Sequence, residues 1–181
     1  MKIYTRTGDD GTTGLLYGGR VPKNSLVIAA NGAVDEAQAA LGVARALVEK
    51  DSELDALLVR LERDLYVLMA EVATADTNRH KLQPGVSLVT EEMVAGLEEH
   101  IDALTARFPP LKDFVVPGHD AVSAALDVAR TTVRRAERET LAACTGGSLV
   151  VRYLNRLSDL VWTMARWQEQ GDSLLSRKVA R

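Results

Sequence analysis

A single cysteine, Cys144, rules out an internal disulfide framework. That usage suits a reducing compartment, and the expected location is the cytoplasm. Aromatic residues make up only 4% of the 181 residues, so the apolar mass falls to Ala, Val and Leu, which pack helices well. No stretch approaches the ~20 consecutive apolar residues of a membrane helix. The start, Met1-Lys2-Ile3-Tyr4-Thr5-Arg6, has no secretory apolar core. A basic excess is also missing. Lys and Arg number 22 against 25 Asp and Glu, for a net charge of −3, which disfavours nucleic acid as the main partner. The 13 glycines and 5 prolines follow no period, which excludes fibrous and low-complexity classes. What remains, 46% hydrophobic and 26% charged, is enough for one folded domain and excludes global disorder.

Familiar catalytic sets are absent too. His80, His100 and His119 are scattered, no zinc spacing surrounds Cys144, and the Glu-x-x-His pairs of di-iron bundles do not occur. No protein metal site is expected. No Ser-His-Asp set can be argued. Without a protein nucleophile, a transfer reaction is expected to need a reactive cofactor.

The chain divides into an arm (1–24), a helical body (25–171) and a tail (172–181). The arm, Thr5-Arg6-Thr7-Gly8-Asp9-Asp10-Gly11-Thr12-Thr13-Gly14 and onward to Arg20-Val21-Pro22-Lys23, shows no helical period and reads as an ordered loop or a mobile arm. Its glycines let backbone N–H groups approach an anion, and its threonines add donors. It lacks the Gly-Lys-Ser/Thr of a Walker loop and the spacing of a calcium loop. Five helical segments follow. The first runs over about 25–50, with Val27, Val34, Ala37, Leu41 and Ala44 in register. The second starts after the cap Ser52, carries a leucine stripe, and runs towards Asp76. Residues 77–89 read as a loop. The third helix begins after Thr90 and stops before Pro109-Pro110, the fourth spans about 120–143, and the fifth about 148–170, with Gly171 just past its end. The tail reads as frayed. Long amphipathic helices with short links predict an all-α, five-helix, up-and-down bundle.

Two helices carry candidate chemistry. On the fourth, Arg130, Arg134, Glu137 and Arg138 share a face. The stripe reads either as an ion-pair ladder at a solvated or subunit-facing surface, or as an anion clamp in which guanidiniums grip phosphate oxygens. On the fifth, Asn155, Asp159, Trp162 and Arg166 align, and Asp159 is a natural partner for an arginine of the fourth helix.

Together these segments resemble the PduO-type ATP:cob(I)alamin adenosyltransferases. The anchors are the arm from Thr5 to Thr13, Arg20-Val21-Pro22-Lys23, Val34-Asp35-Glu36, Phe114-Val115-Val116-Pro117-Gly118, Ala129-Arg130 through Arg138, and Tyr153-Leu154-Asn155-Arg156-Leu157-Ser158-Asp159. The resemblance implies a ferritin-like bundle assembling as a homotrimer with sites between subunits. It implies transfer of the 5′-deoxyadenosyl group of ATP to the cobalt of a reduced corrinoid. Cobalt is then the nucleophile, which accounts for the missing protein nucleophile. By the same resemblance, Thr5, Arg6, Thr7, Gly8, Asp9, Gly11, Thr12, Thr13 and Lys23 hold ATP with Mg²⁺, together with Arg134, Glu137, Arg138 and Asn155. Asp35 pairs with Arg130 across the subunit boundary. Phe114 presses on the lower corrin face, with Val116, Gly118, His119 and Asp127 nearby. A reductase and a B12-dependent acceptor enzyme are the implied protein partners.

Three positions depart from the pattern. His119 stands where a small residue is expected, Asp127 where histidine is common, and Asn31 where an aromatic residue is common. The ATP half of the site is better preserved than the corrinoid half. The departures leave open a non-catalytic trimer that binds ATP or corrinoid to sense or deliver it. A purely structural bundle is the third reading.

Overall fold

Three helices open on side-chain caps. The computed structural model describes residues 3–144 and 146–177; the readings placed on Met1 and Lys2, and on Lys178 and Arg181 in the tail, lie outside them. The Ser52 hydroxyl accepts from the Asp55 amide (3.2 Å) and opens α2, Glu53–Val72. Thr90 does the same for α3, Glu91–Thr105, through the Met93 amide (3.3 Å). Asp120 opens α4, Ala121–Ala143, with a reciprocal box: its carboxylate accepts from the amides of Val122 (2.8 Å) and Ser123 (2.9 Å), while Ser123 Oγ accepts from the Asp120 amide (3.3 Å). Helix α1 is Leu26–Arg45 and α5 is Val150–Gln168. Gly171 follows α5 at φ 94°, as the sequence predicts for a residue just past a helix end.

The five helices form the expected all-α bundle. α4 packs against both α1 and α5, α1 also lies against α2, and α3 against α5. Leu41, Leu58, Leu61, Leu65, Leu68, Leu126, Val133, Leu154 and Leu157 are wholly buried between them. Each such side chain contributes about 1.5–3 kcal/mol by leaving water. One buried carboxylate ties the bundle's end together: Glu71 accepts from Arg79 (2.8 Å), the Val89 amide (2.8 Å) and Ser148 Oγ (2.7 Å).

Four local expectations are corrected. The first helix ends at Arg45 rather than near Lys50, where its guanidinium turns to Asp55 on α2 (2.8 Å) and the chain bends through Asp51 at φ 62°. The second helix ends at Val72 rather than Asp76, because the Ala73 carbonyl is taken by the amide of Leu16 (2.8 Å) and Thr74 Oγ1 folds back onto the Ala70 carbonyl (2.7 Å). The expected loop after it contains a 3₁₀ turn, Asp76–Lys81. The described part of the tail is not frayed. The Val116 amide donates to the Leu174 carbonyl (2.8 Å), and the Ser176 amide donates to the Phe114 carbonyl (2.7 Å). Residues 174–176 thus run beside the 114–116 connector as a short antiparallel strap.

The arm is ordered by a hairpin. β1, Thr12–Gly14, pairs antiparallel with β2, Arg20–Pro22, with Thr13 opposite Val21. Its connecting loop docks on the bundle through Leu16 and through Asn78, whose side chain donates to the Tyr17 carbonyl (3.3 Å).

Candidate functional site

Two cavities hold most of the candidate residues. The first, about 320 Å³, is built from the arm and includes Thr5, Arg6, Thr7, Gly8, Asp9, Thr12, Thr13 and Lys23. Asp10 shapes it: its carboxylate accepts from the Thr12 amide (2.9 Å) and the Thr12 hydroxyl (2.7 Å). The Thr12 side-chain and backbone hydrogen bonds, with Arg20 nearby, hold the Asp10 carboxyl below its ordinary 3.8. Arg20 closes the turn by donating to the Thr7 carbonyl (2.6 Å) and to Thr12 Oγ1 (2.6 Å). Gly8 sits in a tight spot, since a Cβ would lie 3.0 Å from the Thr12 carbonyl oxygen and 3.1 Å from Lys23 Nζ. Gly11 turns beside the cavity at φ 82° without lining it. Arg6 also lies in the left-handed region, at φ 62°. Neither Arg6 nor Lys23 has a carboxylate in ion-pair range among the described residues. The surface left to a ligand is therefore cationic and rich in donors.

The second cavity, about 630 Å³, opens between the 111–117 connector, α4 and α5. Phe114 projects into it and is 82% exposed, so the bundle presents this ring rather than packing it. Arg130 and Arg134 come from α4, Trp162 and Arg166 from α5. Arg134 is exposed and has no carboxylate partner among the described residues. Arg130 Nε lies 3.6 Å from Asp127 Oδ1 and has no hydrogen-bond acceptor. A ring on one side and guanidiniums on the other suit a flat apolar ligand that meets an anion. The two cavities share no lining residue.

The model of the family described as cobalamin adenosyltransferase matches residues 3–168. The chain belongs to that family. Among curated relatives, a corrinoid adenosyltransferase of Mycobacterium tuberculosis is 40% identical over 189 residues, covering 97% of this chain and 97% of that protein. One of Citrobacter freundii is 42% identical over 173 residues, covering 93% and 95%. Among solved structures, a phenylalanine-to-alanine variant of the PduO-type ATP:corrinoid adenosyltransferase of Lactobacillus reuteri, complexed with cobalamin and ATP, superposes with a TM-score of 0.85 at 33% identity, covering 98% of this chain and 100% of that one. An arginine-to-lysine variant of the same enzyme complexed with ATP gives 0.84 at 31% identity, covering 97% and 100%.

For this member of the cobalamin adenosyltransferase family, the structure sorts the expected residues into three groups. The arm residues gather in one cavity, and Phe114, Asp127, Arg130 and Arg134 in the other. Glu137, Arg138, Asn155 and Asp35 line neither. Asn155 donates to Glu137 Oε1 (2.9 Å) and accepts from Arg156 (2.6 Å), forming a polar cluster along α4 beyond Arg134. Asp35 is exposed on α1. Val116, Gly118 and His119 are exposed on the connector and do not line the cavity. The positive φ of Gly118, 106°, turns the chain into the Asp120 cap.

Within one chain the α4 stripe forms no ion-pair ladder among the described residues. Arg138 donates to the Arg134 carbonyl (3.0 Å), and among the described residues Arg130 alone of its arginines faces a carboxylate. The expected Asp159 partnership is also corrected. Asp159 is exposed, and the cross-helix pair is Asp127 on α4 with Arg166 on α5, at 2.7 Å. Arg166 is 2% exposed, and a guanidinium that deep requires a counter-charge. Asp127, expected to touch corrinoid, lines the cavity with its carboxylate already committed to Arg166. Sequence reading left Arg20, Trp162 and Arg166 out of the site. The alignment of Trp162 and Arg166 one turn apart on α5 was the signal that could have placed the last two.

Proposed function

We propose that this chain transfers the 5′-deoxyadenosyl group of ATP to the cobalt of a reduced corrinoid. Cobalt(I) attacks carbon 5′ of the ribose, a Co–C bond forms, and the C5′–O bond breaks with its electron pair leaving on triphosphate. The protein supplies alignment and charge. The observation that carries this reading is an exposed phenylalanine sharing one cavity with the Arg134 guanidinium, which has no carboxylate partner among the described residues, on a chain of this family.

Each half of the reaction has its own residues. Arg6, Lys23 and the Thr5–Thr13 turn receive the phosphates, and Arg134 stabilises the charge that builds on the leaving triphosphate. Glu137, Arg138 and Asn155 border the nucleotide. Mg²⁺ arrives on the phosphate oxygens: no cluster of three His, Cys, Asp or Glu side chains forms a cage among the described residues, and a phosphate-bound Mg²⁺ needs few protein ligands. Phe114 covers the lower corrin face and excludes water, so cobalt(II) loses its axial ligand and becomes easier to reduce. Val116, Gly118 and His119 edge that face.

The two cavities are separate on one chain, so we place the complete site between subunits of a homotrimer, where the arm of one copy meets α4 of the next. Asp35 of one copy then pairs with Arg130 of its neighbour. Exposed apolar residues on the outer faces of α1 and α4, Leu26, Val43, Val128 and Leu141, suit such a contact. A reductase supplies the electron for cobalt(I), and a B12-dependent enzyme takes the product.

The test is direct. The protein is mixed with ATP, Mg²⁺ and chemically reduced cobalamin, and the absorbance spectrum is followed. A light-sensitive alkylcobalamin product is the expected result. ATP-dependent binding of corrinoid without product would assign the chain to sensing or delivery instead.

A further inference from the structure

Under the corrinoid cavity runs a chain of polar contacts that adenosyl transfer does not require. Arg166 Nη2 donates to Asp127 Oδ2 on α4 (2.7 Å) and to Glu169 Oε1 just past α5 (2.8 Å). All three residues are buried. On the α4 side, the other oxygen of Asp127 faces Arg130. On the far side, the second oxygen of Glu169 accepts from Ser173 Oγ. Ser173 opens the strap whose next residues grip the connector, through the Leu174 carbonyl and the Ser176 amide. Phe114 makes the second of those contacts with its own carbonyl, and its amide is held by Asp113 Oδ1 (2.8 Å).

Stability alone gives little reason for this arrangement. Well-packed apolar groups of similar volume often replace a buried ion pair at no loss. Nor is the network closed on itself. The Nε–H groups of Arg130 and Arg166 are both buried without an acceptor in the single chain. Both residues line the cavity.

We propose that Arg166 is a positioning residue for the corrinoid half of the site: through Asp127 it sets Arg130, and through Glu169 and Ser173 it ties the terminal strap, and with it Phe114, to the same buried point. The inference rests on the adenosyltransferase reading for its kinetic consequence, but the mechanical linkage stands apart from it. One guanidinium then fixes the distance between the aromatic lid and the cationic wall. The strap, far from the chemistry in sequence, becomes part of the site.

The test uses Arg166→Gln and Ser173→Ala in the full chain. Hydrogen exchange at the Val116 and Ser176 amides reads the linkage without reference to activity. Arg166→Gln is expected to speed both by at least about tenfold while amides in the middle of α2 keep their protection. It should slow turnover starting from cobalt(II) about tenfold more than turnover starting from cobalt(I), and leave ATP affinity within about twofold, because the lid and not the phosphate cradle is misplaced. Ser173→Ala, a surface-side change that leaves the ion pair intact, should shift exchange and the cobalt(II) rate the same way by a smaller factor. Unchanged exchange at Val116 and Ser176 in both variants overturns the proposal, as does equal slowing from the two cobalt states. Should Arg166→Gln fail to fold, Ser173→Ala decides by the same criteria. A wild-type chain inactive from either cobalt state would refute the transferase reading, and exchange alone would then judge the linkage.

Discussion

The arm and the α4–α5 cavity are built in opposite ways. The arm uses residues close together in sequence, small side chains and backbone groups, and its order rests on a few local bonds around Asp10, Thr12 and Arg20. The cavity collects residues from three distant segments, and its floor is a buried ion-pair network. A cradle for flexible phosphates can be local and exposed. A surface that must meet a rigid flat ligand needs the bundle behind it.

The contrast predicts how each half fails. The largest effect is expected for Arg134→Ala. Loss of a charge-stabilising donor should lower kcat by about 10²–10³ while circular dichroism keeps its helical signal. A loss of helicity or assembly in step with activity would return the stripe to a structural role. Next comes Phe114→Ala, which should slow reaction from cobalt(II) at least about tenfold more than from cobalt(I), with ATP affinity spared, because only the lid is lost. Equal slowing from both states would remove the role given to the ring. In the arm, Gly8→Val should raise KM for ATP by about tenfold, worth ~1.4 kcal/mol, since its side chain would force the Thr12 carbonyl and Lys23 apart. Cobalt(I) reactivity at saturating ATP should change little. The smallest effect concerns pH. The Asp10 carboxyl is depressed, so it favours the ordered turn above its free value of 3.8 and loses that contribution as pH falls through the depressed value. The Thr12 amide resonance should therefore hold steady above 3.8 and move below it, and Asp10→Asn should abolish the movement.

How much of this the sequence disclosed follows the same divide. The cap at Ser52 announces the second helix, and the starts of the third and fourth near Thr90 and Asp120 are legible too, because a helix start is decided by residues a few apart. The arm's chemistry is legible for the same reason: glycine, threonine and aspartate within ten residues. Its hairpin is not, since three-residue strands show no useful alternation. The end of α2 escaped because tertiary contacts from Leu16, far upstream, set it. In the cavity, Phe114, Arg130 and Arg134 were nameable once the family pattern was recognised. The cross-helix pair was not: the sequence suggests Asp159 on α5 with an arginine of α4, and the structure pairs Arg166 on α5 with Asp127 on α4. Only the depth of Arg166 in the packed bundle reveals which pair forms. The tail escaped similarly: its partner is a connector some sixty residues earlier, and no local pattern marks a strap.

The central claim is that the arm of one copy and α4 of another make one site. It is tested by co-expressing two variants, Lys23→Ala with an inactive arm and Arg134→Ala with an inactive helix face, each with a different affinity tag, and isolating mixed assemblies through both tags. The account predicts that the mixed assemblies regain adenosyl transfer to reduced cobalamin that neither parent shows, because some interfaces join an intact arm to an intact α4. Mixed assemblies as inactive as their parents would contradict it.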